Sequence, residues 1–296
     1  MIKPSPALKK LITERKKAKN ARERQQPKLI ENREVHKASI EAKLSGLMHS
    51  NQFENFRKCG MEEIYATCRA CGNFETFYFA CNRRWCPLCN YKLTAARAAV
   101  LHAWSKTIDQ PKHLVLTITN FFVLTRKRIR DFQKALVKLR KQKVFSLVRG
   151  GCCSIEITKG ATGWHLHAHL LLDTDWIDMP KLAPAWSALV GQQFAIVKVK
   201  DVRGSDYVQE VSKYVAKGSD LATWEPEHLM EFVNAIKGLR FFFQFGSLLK
   251  RGKQIRRDLL NARGPGKTCK CGCSRIVYES EALSIINQHR RALKHR

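Results

Sequence analysis

The segments CCSIEIT (residues 152–158) and WHLHAHLLL (residues 164–172) decide the fold of this chain. Both have the length and the apolar content of β-strands. The five residues between them, 159–163, include two glycines, which is typical of the connection in a β-hairpin. The sequence therefore predicts an antiparallel pair of strands at the centre of the protein.

Three histidines, His165, His167 and His169, alternate along the second strand. Alternate side chains of a strand point to the same face, so the three imidazoles project together. A turn centred between residues 161 and 162 would place Glu156 directly opposite His167, with Cβ atoms about 5 Å apart. Two imidazoles and a carboxylate suit Mn²⁺ or Mg²⁺, so a divalent metal site is predicted here. The alternative is a solvated polar face without a metal.

Periodic patterns around the hairpin predict the other elements of the fold. Helices are expected at 91–108, 125–143, 181–190 and 206–217, and strands at 113–120 and 194–202. This order of strand, helix, hairpin, helix, strand and helix predicts an α+β fold, in which helices flank a central antiparallel sheet.

The segment QEVSKYVAK (residues 209–217) carries a candidate nucleophile, Tyr214. At helical spacing, Glu210, Tyr214 and Lys217 share one face. A phenol attacks phosphorus once it is deprotonated, Lys217 would neutralise the phosphate under attack, and Glu210 would act as a base. The alternative is a surface helix with ordinary side-chain contacts.

Eleven cysteines, most of them in CxxC or CxC spacings, indicate metal binding rather than disulfides. Two CxxC pairs separated by 14 residues predict a four-cysteine zinc site. Its predicted ligands are Cys68, Cys71, Cys86 and Cys89. Cys81 is an alternative ligand, and Cys59 is expected to be spare. The CxCxC motif at 269–273 either binds metal with a C-terminal histidine or forms an exposed thiol cluster.

Arg83, Arg84 and Trp85 lie between the predicted zinc ligands, where a basic and aromatic loop would meet DNA backbone and bases. The alternative is that zinc only stabilises a small subdomain.

The chain of 296 residues has 54 Lys and Arg against 25 Asp and Glu, a formal net charge of +29. Such an excess repels itself unless a polyanion neutralises it, and nucleic acid is the usual polyanion. No run of apolar residues is long enough to span a bilayer, and residues 1–10 show no apolar signal core, so a cytoplasmic location without a membrane partner is expected.

With these motifs, the chain resembles the plasmid rolling-circle replication initiators of the HUH endonuclease superfamily. The segment HLVLTITN (113–120) is similar to the first motif of that family, and WHLHAHLLL is similar to its His-hydrophobic-His motif. EVSKYVAK (210–217) is similar to the tyrosine motif.

The resemblance implies that His167, His169 and Glu156 hold the metal and that Tyr214 nicks one strand of the origin DNA. The products would be a 5′-phosphotyrosine link and a free 3′-OH that primes a host polymerase, with a host helicase as a further partner. It places the protein in a bacterial cytoplasm.

Composition and motifs together predict a division of the chain into four segments. These are a basic mobile or helical arm (1–55), a zinc-binding subdomain with a helix (56–110), the nickase domain (111–250) and a basic tail with the CxCxC motif (251–296). Two alternatives remain: an HUH-type transposase, and a zinc-stabilised nucleic-acid-binding protein without catalysis.

Overall fold

The computed structural model of the chain describes most of its central part. The described residues are 32–48, 51–68, 74–108, 111–193, 195–202, 208, 211, 217–262 and 276–278. Within them, the side chains of 64–68, 74–77, 218, 260–262 and 276–278 are not considered.

Helices and strands alternate along the described chain. The strands are β1 (Glu63–Cys68), β2 (Phe74–Tyr78), β3 (Pro111–Thr117), β4 (Gly150–Gly160), β5 (Gly163–Asp173), β6 (Val197–Asp201), β7 (Phe242–Phe245) and β8 (Ile276–Tyr278). The helices are α1 (residues 32–44), α2 (Asn51–Lys58), α3 (Pro87–Ser105), α4 (Arg126–Leu139), α5 (Met179–Val190), α6 (Gly218–Thr223), α7 (Pro226–Ile236) and α8 (Gly246–Ala262).

A five-stranded sheet in the order β6-β3-β5-β4-β7 forms the centre of the fold, and all its neighbouring strands are antiparallel. This confirms the predicted α+β class with a central antiparallel sheet. The hairpin turn consists of Ala161 and Thr162, and Glu156 pairs with His167 across it. This is the register that a turn centred between residues 161 and 162 implies, and it places the histidines on the same face as Glu156.

One face of the central sheet buries the main hydrophobic core. Leu166, Ala168 and Leu170 of β5 point into it and are almost completely buried. Helix α4 covers this face with four apolar residues that are all buried, because they recur at helical spacing. They are Ile129, Phe132, Leu136 and Leu139. Thr125 caps α4 by accepting a hydrogen bond from the backbone N–H of Arg128.

The opposite face of the sheet carries a second, smaller cluster of buried residues around Leu171. Leu101 and Trp104 of α3 and Leu248 of α8 pack against it. Leu171 has the same strand parity as the histidines, so this cluster lies on the histidine face. Helices α3 and α8 therefore cover one end of that face.

The N-terminal part of the described chain is helical and packs into the main core. Ile40 and Leu44 of α1 and Phe56 of α2 are completely buried, and they belong to the same core cluster as the sheet. Residues 32–44 are helical, as the predicted helical stretches of the arm allow, and an apolar stripe within a charged segment is enough to dock this helix. Residues 1–31 lie outside the described residues.

The predicted helix at 206–217 is described only at three positions. Val208 and Val211 are helical, whereas Lys217 has an extended backbone (φ −72°, ψ 141°) and is the N-cap of α6. The predicted helix therefore does not extend to Lys217. Among the described residues, no helix combines the length and the apolarity that crossing a bilayer requires.

Two glycines beside the hairpin turn allow a matched test of the contact between this turn and the loop after β3. Gly163 has φ +110°, and a Cβ there would lie 2.5 Å from the carbonyl oxygen of Phe121, whereas a Cβ at Gly160 would meet nothing within 4 Å. We expect Gly163→Ala to lower the free energy of unfolding by about 1–3 kcal/mol. Gly160→Ala should change it by less than about 0.5 kcal/mol. Urea unfolding measures both, and equal effects would contradict this account of the turn.

Candidate functional site

The histidine face joins side chains from β4 and β5. Nε2 of His169 lies 3.3 Å from Oε2 of Glu156, and both residues are buried. Nε2 of His167 lies 3.4 Å from Oγ1 of Thr158, and its ring is stacked on that of His169 with centroids 6.2 Å apart. The structure thus brings together the three predicted ligands on one surface.

His165 lies at the turn end of the same row. Its Nδ1 contacts Oδ1 of Asn120, a residue of the loop after β3, and its ring packs edge-on against His167 at 4.1 Å. Burial lowers the pKa of His165, which keeps its imidazole neutral. This side chain therefore connects the hairpin to the neighbouring loop.

His113 of β3 joins the site, and the sequence analysis did not select it. Its Nε2 lies 3.4 Å from Nδ1 of His169, and the two rings are stacked at 5.5 Å. His169 therefore contacts His113 through one ring nitrogen and Glu156 through the other. A metal-binding histidine commonly has such a partner on its second nitrogen, which fixes the ring. The segment HLVLTITN already contained the information, because His113 and Val115 point to the same face of β3 and Val115 pairs with His169.

The donor set of the face suits a divalent cation, since it offers imidazole nitrogens beside a buried carboxylate. Among the described His, Asp and Glu side chains, no three ligand atoms lie within 4.8 Å of one another. His167 is the outlying group, because its Nε2 is directed towards Thr158. The site therefore fits a metal in its chemistry, and His167 must change rotamer to bind one together with His169 and Glu156.

The tyrosine segment, defined as the predicted helix at 206–217, contributes two buried valines to this face. Val208 and Val211 belong to the cluster that contains Leu171, two residues along β5 from His169. Tyr214 and Glu210 lie outside the described residues. Lys217 is exposed at the start of α6.

Four cysteines form a compact sulfur cluster, and all four thiols are buried. They are Cys59, Cys81, Cys86 and Cys89. The Sγ atom of Cys59 lies 3.4 Å from that of Cys89 and 3.7 Å from that of Cys86, and Cys81 and Cys89 are 3.8 Å apart. Tetrahedral zinc with Zn–S bonds of about 2.3 Å requires sulfurs about 3.8 Å apart, so the cluster has the dimensions of a Cys₄ zinc site.

Backbone groups support this cluster. The N–H of Cys81 donates to Sγ of Cys59, and the N–H of Asn82 donates to Sγ of Cys89. Asn82 has a positive φ of 55°, which turns the chain sharply around the sulfurs. Hydrogen bonding from Cys81 lowers the pKa of Cys59, and the thiolate is the form that binds metal.

The cluster changes the predicted ligand set. Cys86 and Cys89 meet as predicted, but Cys59 and Cys81 provide the other two sulfurs. The expectation that Cys59 is spare is therefore wrong, because α2 brings it to the cluster from outside the CxxC pattern. Cys71 and the side chain of Cys68 lie outside the described residues.

The loop between the cluster cysteines presents two arginines and buries its tryptophan. Trp85 is only 4% exposed, and its ring lies 4.4 Å from that of Phe56. The structure assigns Trp85 to packing, in place of the predicted contact with DNA. Arg83 and Arg84 are half-buried, and Arg84 lies 6.0 Å from the ring centroid of Phe241.

Comparison with known families agrees with these features. A family model described as replication protein matches residues 77–263, which is more than half of the chain and includes the whole central sheet. The chain belongs to this family of replication proteins. A second model, described as a transposase zinc-binding domain, matches residues 30–118, which include all four cysteines of the cluster. No curated protein and no solved structure shows a significant match.

Together, the two family matches support a replication initiator or a transposase of the HUH kind. Replication and transposition act on DNA, so the matches also imply DNA binding. The zinc-binding family and the sulfur cluster support bound Zn²⁺.

The cluster predicts which cysteines hold this zinc. We expect Cys59→Ser/Cys81→Ser to lose one equivalent of zinc per chain and to melt at a lower temperature, because the metal contributes folding energy at a structural site. Elemental analysis of the purified protein and thermal denaturation measure the two effects. A Cys59→Ser/Cys81→Ser protein with undiminished zinc content would refute the assignment.

Proposed function

We propose that the protein initiates rolling-circle replication by nicking one strand of its origin DNA with Tyr214. The observation that carries the proposal is the shared face. The row of histidines, Glu156 and the buried valines of the tyrosine segment all belong to one side of the central sheet. The family match to replication proteins supports the same process.

The residues proposed to hold the divalent metal are His167, His169 and Glu156. When bound, Mn²⁺ or Mg²⁺ would polarise a phosphate oxygen and stabilise negative charge on it. His113 contacts the second nitrogen of His169, so we assign it to positioning that ring. Glu156 and His169 are both buried, and because each contacts the other, both side chains have a polar partner away from solvent.

In the proposed reaction, the phenolate oxygen of Tyr214 attacks the scissile phosphorus. The new O–P bond forms while the bond from phosphorus to the 3′ oxygen breaks, and that oxygen takes up a proton to become the 3′-OH. The 5′ phosphate stays on the tyrosine, so the energy of the phosphodiester is retained for a later rejoining step. The 3′-OH then primes a host polymerase, with a host helicase opening the duplex.

Lys217 and Glu210 flank the nucleophile along the chain. Lys217 is exposed at the N-cap of α6, three residues after Tyr214, and we propose that it neutralises the phosphate under attack. Glu210 is proposed as the base that activates Tyr214, or a water in the second cleavage.

Cys68 and Cys71 are still proposed as zinc ligands, although at a different site from the sulfur cluster, which already offers four sulfur atoms. Strands β1 and β8 pair so that Cys68 stands opposite Ile276. The CxxC motif begins at this paired position, and the CxCxC motif at 269–273 ends three residues before Ile276. We propose that these two motifs share a second zinc.

A second zinc gives a further expectation for the elemental analysis. The unmodified protein should contain two equivalents, and Cys68→Ser/Cys71→Ser should retain one. This variant is also the matched control for Cys59→Ser/Cys81→Ser, because each pair removes two thiols from a different site. A single equivalent in the unmodified protein, or an undiminished zinc content in Cys68→Ser/Cys71→Ser, would eliminate the second site.

An HUH-type transposase is the second candidate, and the match of residues 30–118 to the transposase zinc-binding domain favours it. Both candidates use the same cleavage chemistry and differ in the DNA that they recognise. A zinc-stabilised nucleic-acid-binding protein without catalysis is the third candidate, which the next experiment separates from the other two.

Incubation with single-stranded origin DNA and Mn²⁺ tests the nicking reaction. We expect a covalent protein–DNA adduct on a denaturing gel, lost in Tyr214→Phe because the attacking oxygen is removed. Tyr207→Phe is the matched control, since it removes a phenol seven residues away, and should form the adduct normally. If no adduct forms with origin DNA or with DNA from transposon ends, the protein is not a nickase.

A further inference from the structure

Two adjoining clefts on the protein surface are lined by basic side chains. One cleft, of about 570 Å³, lies between α3, β7 and α8, and the other, of about 370 Å³, lies between the 82–85 loop and the end of α7. Arg240 lines both, which makes them neighbours. The other basic lining residues are Arg83, Arg84, Arg97, Lys237 and Arg256. No Asp or Glu lines either cleft within the described residues.

We name the pair of clefts the arginine cleft and define it by Arg84, Arg97, Arg240 and Arg256. In the described part of the chain, none of the four forms an ion pair with a carboxylate. Other arginines of the protein have such partners; Arg149, for example, contacts Asp173 and Asp175. Cations gathered without a counter-charge destabilise the fold, so a bound anion is the expected compensation.

The arginines of the cleft also affect one another. Burial, and then the charge of Arg84, lower the pKa of Arg97 to about 10. Burial and the charge of Arg240 lower the pKa of Arg84. Nε of Arg83, beside them, is buried and has no hydrogen-bond partner among the described residues. Buried donors without partners are costly unless a ligand supplies the acceptor.

Aromatic rings lie beside two of these arginines, Arg84 and Arg97. The guanidinium of Arg97 lies 4.7 Å from the ring centroid of Phe242, which is half-buried and lines the cleft. Arginines that bind phosphates, interleaved with rings on which bases stack, are the usual means of holding a single nucleic-acid strand. Duplex DNA offers no exposed base faces, so it matches this lining less well.

The cleft opens on the same face as the histidines. Phe242 of β7 pairs with Ser154 of β4, and Ser154 pairs with His169 of β5. Neighbouring strands are about 4.8 Å apart, so the backbone at Phe242 is about 10 Å from that at His169. One or two nucleotides span such a distance, which puts a strand in the cleft within reach of the histidine site.

We propose that the arginine cleft binds the backbone of single-stranded DNA and leads the strand to the histidine face. The binding stands by itself, whereas the delivery to a cleaved phosphate rests on the proposed nicking function.

Binding of a fluorescein-labelled oligothymidylate to the full chain, measured by anisotropy without added divalent cation, tests the cleft. Arg97→Gln/Arg240→Gln should weaken binding roughly tenfold at moderate salt. The slope of log K against log salt should fall by about 0.7 for each arginine removed. Arg130→Gln is the matched control, because Arg130 is an exposed arginine of α4, on the other side of the sheet. It should bind like the unmodified protein.

Arg97 is half-buried, so Arg240→Gln/Arg256→Gln provides a second variant in which both changed side chains are exposed. Either double variant that binds the oligothymidylate like the unmodified protein overturns the proposal. An equal loss of binding to a duplex of the same length also overturns it, since that indicates a general basic surface.

The test separates this proposal from the nickase proposal. Tyr214→Phe should bind the oligothymidylate normally, since binding needs no nucleophile. Loss of binding in the arginine variants, together with the absence of an adduct in the unmodified protein, would retain the cleft and remove the nickase. An adduct without any effect of the arginines would do the reverse.

Discussion

The antiparallel pairing of β4 with β5 is the interaction on which the rest of the structure depends. Its register puts Glu156 opposite His167 and Ser154 opposite His169. A slip of one residue would turn the histidines into the main core and expose its leucines. The two-residue turn and the close contact of Gly163 with Phe121 hold the register at one end, and the central position of both strands in the sheet holds it along its length.

This register divides the sheet into a face for stability and a face for chemistry. The first face is closed by α4, α5 and α7 and buries large apolar side chains. The second face is covered only in part, by the cluster around Leu171, and the histidines lie beside that cluster. Burial of Glu156 and His169 is tolerated because each is the polar partner of the other. The valines of the tyrosine segment belong to the same cluster around Leu171, so packing and the proposed chemistry use one face of the sheet.

The sulfur cluster is joined to the sheet rather than separate from it. Its cysteines and Trp85 belong to the same buried core as the central strands. The two family matches overlap at residues 77–118, where the cluster loop and α3 are located. Metal binding would therefore fix the loop that carries Arg84 and, through it, one wall of the arginine cleft. A bound zinc would then contribute to the proposed DNA binding by holding Arg84 in place.

The sequence by itself determined the features that depend on near neighbours. The alternating histidines, the hairpin, the apolar stripe of α4 and the Cys86–Cys89 pair follow from strand and helix periodicity or from short spacing. The tertiary structure alone decided which distant groups meet. It selected Cys59 and Cys81 for the cluster, it brought His113 to His169 through the pairing of β3 with β5, and it gathered Arg97 and Arg240 from separate elements. Periodicity specifies the direction in which a side chain points, but the packing of whole helices and strands decides which other side chain it contacts. The sequence alone could not make this choice, because it offers several equivalent residues, such as the cysteines, for each position in a site.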